Sequence, residues 1–138
     1  MSFDLYVQAF DGGWPAGIPM EALREAFGAE LVELEEDYWQ LQFGFEASTD
    51  LFLQELPGFP DRVHGVSIHR PCQDMRLFQA IWKLLGVPGT ILYYPGGAAP
   101  LARDGLAGAS MPTELLHSLG QPTLVNDAAG ISRAVVLP

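Results

Sequence analysis

Apolar and polar residues alternate over the first ten positions of the chain, with Phe3, Leu5 and Val7 as the apolar members. A period of two is typical of a β-strand with one buried face, and we predict a strand near residues 2–10. The glycine-rich segment that follows, residues 11–18, is predicted to form a loop.

A helical period begins after this loop, because Met20, Leu23 and Phe27 recur at intervals of three and four residues. Pro19 suits the first helical position, and Gly28 suits the residue after the last turn. These signals predict a short amphipathic helix between the proline and the glycine.

An antiparallel hairpin is predicted next, because alternation returns at residue 31. Val32 and Leu34 are expected on the apolar face of its first strand, and Glu36 and Asp37 form the turn. Gly44 interrupts the second strand and predicts a β-bulge there. The second strand is expected to place these side chains on one face: Trp39, Leu41, Phe43 and Phe45.

Two more strands, predicted over 51–56 and 63–70, precede the most apolar helix of the chain at about 73–86. Its polar residues form only a narrow stripe, so we expect this helix to lie at the centre of the core. The stripe consists of Gln73, Arg76, Gln79 and Lys83.

The last third of the chain is predicted to contain a strand over 90–94, a loose apolar loop over 95–109 and a short helix over 110–120. Two further strands are predicted to close the chain, at 122–126 and 131–137, around a turn over 127–130, with an ordered tail as the alternative for the second segment.

Strands cluster in the first half of this order, which favours an α+β fold. We expect a mixed or mainly antiparallel sheet packed against the central helix, with two shorter helices beside it. The length of 138 residues suits one globular domain over residues 1–138. The hydrophobic fraction of 49% is too high for a disordered chain.

The formal net charge of -10 is unevenly distributed along the chain. Residues 1–61 contain 13 acidic groups and one basic group, whereas residues 62–138 contain 4 acidic and 6 basic groups, giving -12 and +2. An acidic chain repels phosphate backbones and anionic lipids, since both are bound through clustered Lys and Arg. We therefore expect neither nucleic acid nor a membrane as partner, and a basic protein suits this field better.

Several features favour a cytoplasmic protein. The apolar stretch over 84–101 is interrupted by glycine and proline, so it is not predicted to cross a membrane. The amino terminus shows no basic segment of the kind found in signal peptides. The chain has one cysteine, Cys72, so no intrachain disulfide is expected.

Cys72 is a weak candidate for a catalytic residue, because it lies where a strand is followed by the central helix. The backbone dipole at a helix start can activate a thiol, and Asp74 and Arg76 are close in sequence. A small thiol-dependent enzyme is therefore an alternative hypothesis, although Arg76 lies nearer to the cysteine than the arginine of a phosphatase-type loop does. In the simpler interpretation Asp74 caps the helix, Arg70 or Arg76 pairs with it, and the thiol is partly buried.

His64, His69 and Cys72 are also close in sequence, but regular alternation places the two histidines on opposite faces of their strand unless a bulge intervenes. A fourth ligand is missing as well, so no metal site is expected. The glycines after Tyr94 have neither the spacing nor the lysine of a nucleotide-binding loop, and we expect no cofactor.

Glu33, Glu35, Glu36 and Asp37 lie on the predicted hairpin and support two interpretations. As a solvated edge, they would keep the sheet from pairing with other chains and keep the protein soluble. As a docking surface, they would steer a basic partner toward the protein. Trp14, in its glycine-rich loop, is a second candidate contact for a partner.

Four segments together resemble a group of small, uncharacterised bacterial proteins, and this resemblance spans most of the chain. The segments are MSFDLYVQAF, RPCQDMR followed by LFQAIWKLL, ILYYPG, and MPTELLHSLGQP. In size, acidity and fold class the chain also resembles, more loosely, the immunity proteins that neutralise toxins of interbacterial competition. The first resemblance brings no known activity, and the second assigns no inhibitory residue to this chain. The unequal charge of the two halves favours a non-enzymatic binding protein that presents its acidic first half to a basic surface, and the second resemblance implies an immunity-type inhibitor as its specific form. A homodimeric structural subunit joined through residues 95–109 is a further alternative.

Overall fold

The computed structural model describes residues 4–44, 47–96 and 98–135. Ten strands and five α-helices lie within these ranges. The strands are β1 (Leu5–Asp11), β2 (Trp14–Pro15), β3 (Ile18–Pro19), β4 (Leu31–Glu33), β5 (Tyr38–Gln42), β6 (Ser48–Glu55), β7 (Arg62–His69), β8 (Thr90–Tyr93), β9 (Leu101–Ala102) and β10 (Thr123–Leu124). The helices are α1 (Met20–Phe27), α2 (Met75–Leu84), α3 (Ala107–Ser110), α4 (Thr113–Leu119) and α5 (Ala128–Ala134).

All of these strands join one sheet, in the order β10-β9-β8-β1-β7-β6-β5-β4, while β2 pairs with β1 and β3 pairs with β7. Every pairing is antiparallel except the parallel contact between β9 and β10. The predicted α+β fold with a mainly antiparallel sheet is confirmed. None of the helices in the described ranges has both the length and the apolar character that crossing a membrane requires.

The main core lies between one face of the sheet and the helices α1, α2 and α5, and α2 contacts both of the other two. The central position predicted for this helix is therefore confirmed, although the helix begins at Met75 rather than at residue 73. Its buried side chains meet the inward residues of the central strands. Those of the helix are Leu77, Phe78, Ala80, Ile81 and Leu84.

A smaller core lies on the opposite face of the sheet, at one end. Phe10 and Ile91 pack there with Ala107 and Met111, and α4 covers them with partly buried leucines. The outward side chains of β5, β6 and β7 belong to neither core cluster. We call the surface formed by these three strands, the adjoining part of β1 and Tyr93 at the end of β8 the open face.

The hairpin predicted after residue 31 is present as β4 and β5, with Leu31 opposite Leu41. The predicted apolar face of the first strand is wrong by one position, because Leu31 packs on the core and Leu34 is 51% exposed. Gly44, with φ of 138°, lies in the turn after β5 and not in a bulge within it. Phe3 and Phe45, which were expected on the faces of strands, lie outside the described residues.

The carboxyl-terminal strand predicted over 131–137 is wrong where the structure describes it, because residues Ala128–Ala134 form the helix α5. Asp127, expected in a turn, is the N-cap of this helix, and its Oδ1 accepts a hydrogen bond from the amide of Gly130 at 2.7 Å. Ile131 and Val135 are spaced by one helical turn, and both are fully buried. Burial of these two side chains against α2 therefore favours a helix over the predicted strand.

The segment predicted as a loose loop over 95–109 also contains regular structure, namely β9 and α3. Leu101, Ala102 and Ala107 are buried, since small side chains allow the backbone to approach the sheet closely. The first helix, in contrast, forms as expected, with Pro19 as its N-cap rather than its first residue and Gly28 after its last turn at φ of 64°.

Candidate functional site

The acidic tip of the β4–β5 hairpin, Leu34–Asp37, is held by its backbone. The amides of Leu34 and Glu35 both donate to the carbonyl of Tyr38, at 3.3 and 2.9 Å, and the amide of Leu53 donates to the carbonyl of Asp37 at 2.9 Å. The carboxylates of the tip have no ion pair or side-chain hydrogen bond to any described residue. The fold thus fixes the position of the tip and leaves its charges to solvent.

Glu33 differs from the other acidic residues of the hairpin, because Arg24 neutralises it. The Nε and Nη2 atoms of Arg24 each donate to the Glu33 carboxylate at 3.2 Å, and Nη1 donates to Glu21 at 2.7 Å. These hydrogen bonds, with Glu33 contributing most, raise the pKa of the Arg24 guanidinium. Glu33 therefore has a partner inside the molecule, whereas Glu35, Glu36 and Asp37 do not within the part of the chain described.

A groove of about 370 Å³ runs between the hairpin tip and the loop that connects β6 to β7. Leu53 and Val63 are its buried apolar residues, whereas Phe59 is 54% exposed. The groove, called the hairpin groove below, is lined by Met20, Glu36, Asp37, Leu53, Glu55, Leu56, Pro57, Gly58, Phe59, Pro60, Arg62 and Val63. Its volume lies near the lower end of the range of roughly 300–1,000 Å³ for ligand pockets.

The charges of the hairpin groove are acidic on balance. Glu36, Asp37 and Glu55 contribute three carboxylates, and Arg62 contributes the one guanidinium in the lining. No ion pair between any of these four groups and another described residue is found. An apolar floor bordered by unpaired carboxylates suits a ligand that is both apolar and cationic.

Trp14, the second predicted partner contact, is 75% exposed. It lies in β2 opposite Asp11, at the same end of the sheet as the hairpin groove, because β1 ends where the antiparallel β7 begins. The tryptophan is not among the residues that line the groove. The structure therefore leaves Trp14 exposed but does not join it to the acidic hairpin.

Cys72 lies two residues before the N-cap of α2 and is half-buried. As expected in the simpler interpretation, Asp74 caps the helix, with Oδ1 accepting from the Arg76 amide at 2.9 Å. Arg76 pairs with Asp74 at 2.7 Å and with Glu30 at 3.3 Å, and its hydrogen bonds lower the pKa of the Asp74 carboxyl. Asp74 and Arg76 are thus committed to the start of the helix, and no hydrogen bond from a described residue reaches the thiol.

The two histidines of β7 do not lie on opposite faces, because the strand departs from regular alternation between them. A register shift between Gln54 and Glu55 marks a bulge in the pairing of β6 with β7, and it changes the alternation near His64. His64 packs against Phe10, and His69 packs against Phe52, both on the side of the open face. The structure groups no three His, Cys, Asp or Glu side chains as a metal site within the described ranges.

The open face carries a row of side chains that is not apparent from the sequence. The strand register places Tyr93, Tyr6, Ser67, Phe52 and Tyr38 side by side on five neighbouring strands. The rings of the first pair stack with centroids 5.2 Å apart, and those of the last pair with centroids 5.0 Å apart. Alternation predicts outward residues on each strand, but only the register brings these five into one row.

Hydrogen bonds connect the polar side chains beside this row. The Tyr93 hydroxyl donates to Gln8 Oε1 at 2.8 Å, and Gln8 Nε2 donates to Gln54 Oε1 at 2.8 Å. Gln54 Nε2 in turn donates to Ser67 Oγ at 2.9 Å. His69 lies 3.9 Å from Asp4, and no hydrogen bond links its imidazole to the serine hydroxyl in the described structure. The face is therefore a polar network and not an assembled nucleophile–base pair.

Asp50 is the acceptor at the other end of the open face. It accepts from the Tyr38 hydroxyl at 2.8 Å, from Gln40 at 3.2 Å and from Arg70 Nη2 at 2.6 Å. Burial by itself would raise the pKa of the Asp50 carboxyl, but these hydrogen bonds outweigh burial and the pKa is lowered. Tyr38 and Gln40, which follow the acidic hairpin tip in sequence, are occupied by this network.

Comparison with protein-family models, with curated protein sequences and with solved structures found no match to this chain. The class that the structure defines is an α+β protein with a mainly antiparallel sheet. Function is therefore argued from the side chains of the molecule itself.

Proposed function

We propose that this protein is a non-enzymatic binding protein that captures a basic protein partner at the acidic tip of the β4–β5 hairpin. The observation that supports the proposal is the hairpin groove, in which unpaired carboxylates border exposed apolar side chains. Carboxylates steer a basic surface during encounter, and apolar contacts then slow dissociation. An immunity-type inhibitor of a bacterial toxin is the specific form of this function that the resemblance implies.

The test compares two double variants that remove the same number of charges. Glu36→Gln with Asp37→Asn neutralises two carboxylates of the groove, and Glu25→Gln with Glu114→Gln neutralises two exposed carboxylates on α1 and α4. Wild type and both variants are used to capture proteins from a lysate of the native cell, and association rates are then measured with the purified partner. Glu33 is left unchanged, because it is already paired with Arg24.

The groove variant is expected to lower the association rate about tenfold at low salt, because steering depends on local charge. The helix variant is expected to associate at nearly the wild-type rate. High salt should reduce the difference between the two, since it screens exposed charges. Recovery of the same partners at the same rates with all three proteins would show that the acidic tip is only a solubilising edge.

A further inference from the structure

Two arginines of this protein are held by the same combination of groups, an aromatic ring and two carboxylates. The guanidinium of Arg24 lies 5.6 Å from the centre of the Trp39 ring and pairs with Glu21 and Glu33. Cation–π contact and ion pairing both act on the planar guanidinium, one through its face and the other through its N–H edge.

Arg76 repeats this arrangement at the start of α2. Its guanidinium lies 5.0 Å from the centre of the Phe43 ring and pairs with Asp74 and Glu30. The side chains of Arg24 and Arg76 are 39% and 47% exposed, so a ring and two carboxylates hold an arginine at the surface of this protein.

The lining of the hairpin groove contains the same kinds of side chain, an aromatic ring and carboxylates, and no ion pair or cation–π contact joins them to an arginine among the described residues. Phe59 is 54% exposed, and three carboxylates lie in the same lining without an ion pair to any described residue. Arg62 also lies in the lining, but its aliphatic carbons pack closely on Gly17. A Cβ added at Gly17 would lie only 2.7 Å from Arg62 Cδ. No cation–π contact between Arg62 and Phe59 is found among the described residues.

We infer that the hairpin groove receives an arginine side chain of the partner, followed or preceded by an apolar residue that packs on Leu56 and Phe59. The inference rests on the proposed function and names the chemistry that the partner presents. Arginine suits the groove better than lysine, because only a planar guanidinium can stack on a ring while it donates to two carboxylates. The carboxylates of Glu36 and Asp37 are the expected acceptors.

The probe is the capped dipeptide acetyl-Leu-Arg-amide, added to the full chain while amide chemical shifts are followed by NMR. The matched peptide acetyl-Leu-citrulline-amide keeps the shape of the side chain and removes its charge. We expect changes in chemical shift only at residues of the groove lining. Binding of the citrulline peptide should be about fivefold weaker, and acetyl-Leu-Lys-amide should also bind more weakly than the arginine peptide. Changes spread over other surfaces, equal binding of the citrulline peptide, or no binding would overturn the inference.

Two variants extend the test to the protein. Glu36→Gln with Asp37→Asn should weaken binding of the arginine peptide about fivefold, and Arg62→Gln should strengthen it about twofold by removing a like charge. Thermal unfolding checks that both variants are folded, as expected for exposed positions. Unchanged or weaker binding by Arg62→Gln would contradict the charge argument.

The outcome for the peptide and the outcome for the whole partner are separable. If the groove variant slows capture of the partner while the dipeptide does not bind, the partner uses the acidic tip without inserting an arginine. If the dipeptide binds in the groove but partner capture is insensitive to the variant, the groove binds arginine and the proposed function fails.

Discussion

Asp74 shows how one side chain sets the start of the central helix. Its carboxylate accepts from the Arg76 amide, so the helix begins at Met75, two residues after the start of the predicted segment. Asp74→Ala is expected to lower the free energy of unfolding by about 1 kcal/mol, as measured by urea denaturation. Asp74→Asn keeps an acceptor for the amide and should cost less, and an equal cost would mean that the ion pair with Arg76 matters more than the cap.

Close packing of β1 requires a glycine at position 65, and alternation along the strand cannot reveal this requirement. A Cβ at this position would collide with the carbonyl oxygen of Val7 and lie 2.8 Å from Gln8 Cγ, because β1 and the hydrogen-bonded Gln8 cover it. Gly65→Ala is expected to lower the free energy of unfolding by roughly 1–3 kcal/mol, the usual cost of overpacking. Gly105→Ala, where a Cβ meets no atom within 4 Å, is the control and should change stability little.

At the scale of elements, a hydrogen-bond network around Asp50 connects side chains of β5 and β6 with Arg70, the residue after β7. Because the pKa of its carboxyl is lowered in the folded state, the network stabilises the fold above the ordinary aspartate pKa of about 3.9. This stabilisation is lost as the pH falls through the folded-state pKa, since the unfolded chain binds the proton more readily.

Asp50→Asn is accordingly expected to flatten the decline of the unfolding free energy below about pH 4. Urea denaturation at a series of pH values measures this decline. Tyr38→Phe, alone and combined with Asp50→Asn, completes a double-mutant cycle in which the two changes should not add. Additive effects with an unchanged acid slope would show that the hydroxyl of Tyr38 does not stabilise the carboxylate.

Elements with a strong local period were predictable from sequence, and elements defined by tertiary packing were not. The hairpin and α2 have clear apolar periods and appear near their predicted places. α5 was predicted as a strand because its short segment has too few apolar residues to distinguish the two periods. β9 and α3 have mostly small side chains, which give no periodic signal, and their burial depends on the sheet beside them.

At the scale of the whole molecule, α5 closes the main core although it lies far from α2 in sequence. Ile131 is fully buried in the same cluster as Ile81. Ile131→Ala is therefore expected to lower the free energy of unfolding by about 2–5 kcal/mol, similar to the effect of Ile81→Ala. Urea denaturation of both variants checks this, and a cost for Ile131→Ala near that of an exposed substitution would place α5 outside the cooperative core.

The segment over 95–109, considered above as a contact between two copies, packs largely within the molecule itself. Leu101, Ala102 and Ala107 are buried within the molecule, and Leu106 is the large apolar side chain of the segment that stays exposed among the residues described. The loop therefore contributes its apolar surface to the protein's own cores. Association of two copies through this segment would have to rely on little besides Leu106.

The sequence by itself determined the α+β class, the acidic hairpin, the central helix and the unequal distribution of charge. These depend on local periods, caps and composition, which are properties of neighbouring residues. Only the tertiary structure decided which carboxylates are free, because Arg24 lies nine residues from Glu33 yet pairs with it. The tertiary structure also brought Phe59 to the hairpin and aligned the row from Tyr93 to Tyr38 across five strands. Strand order and register depend on contacts between residues distant in sequence.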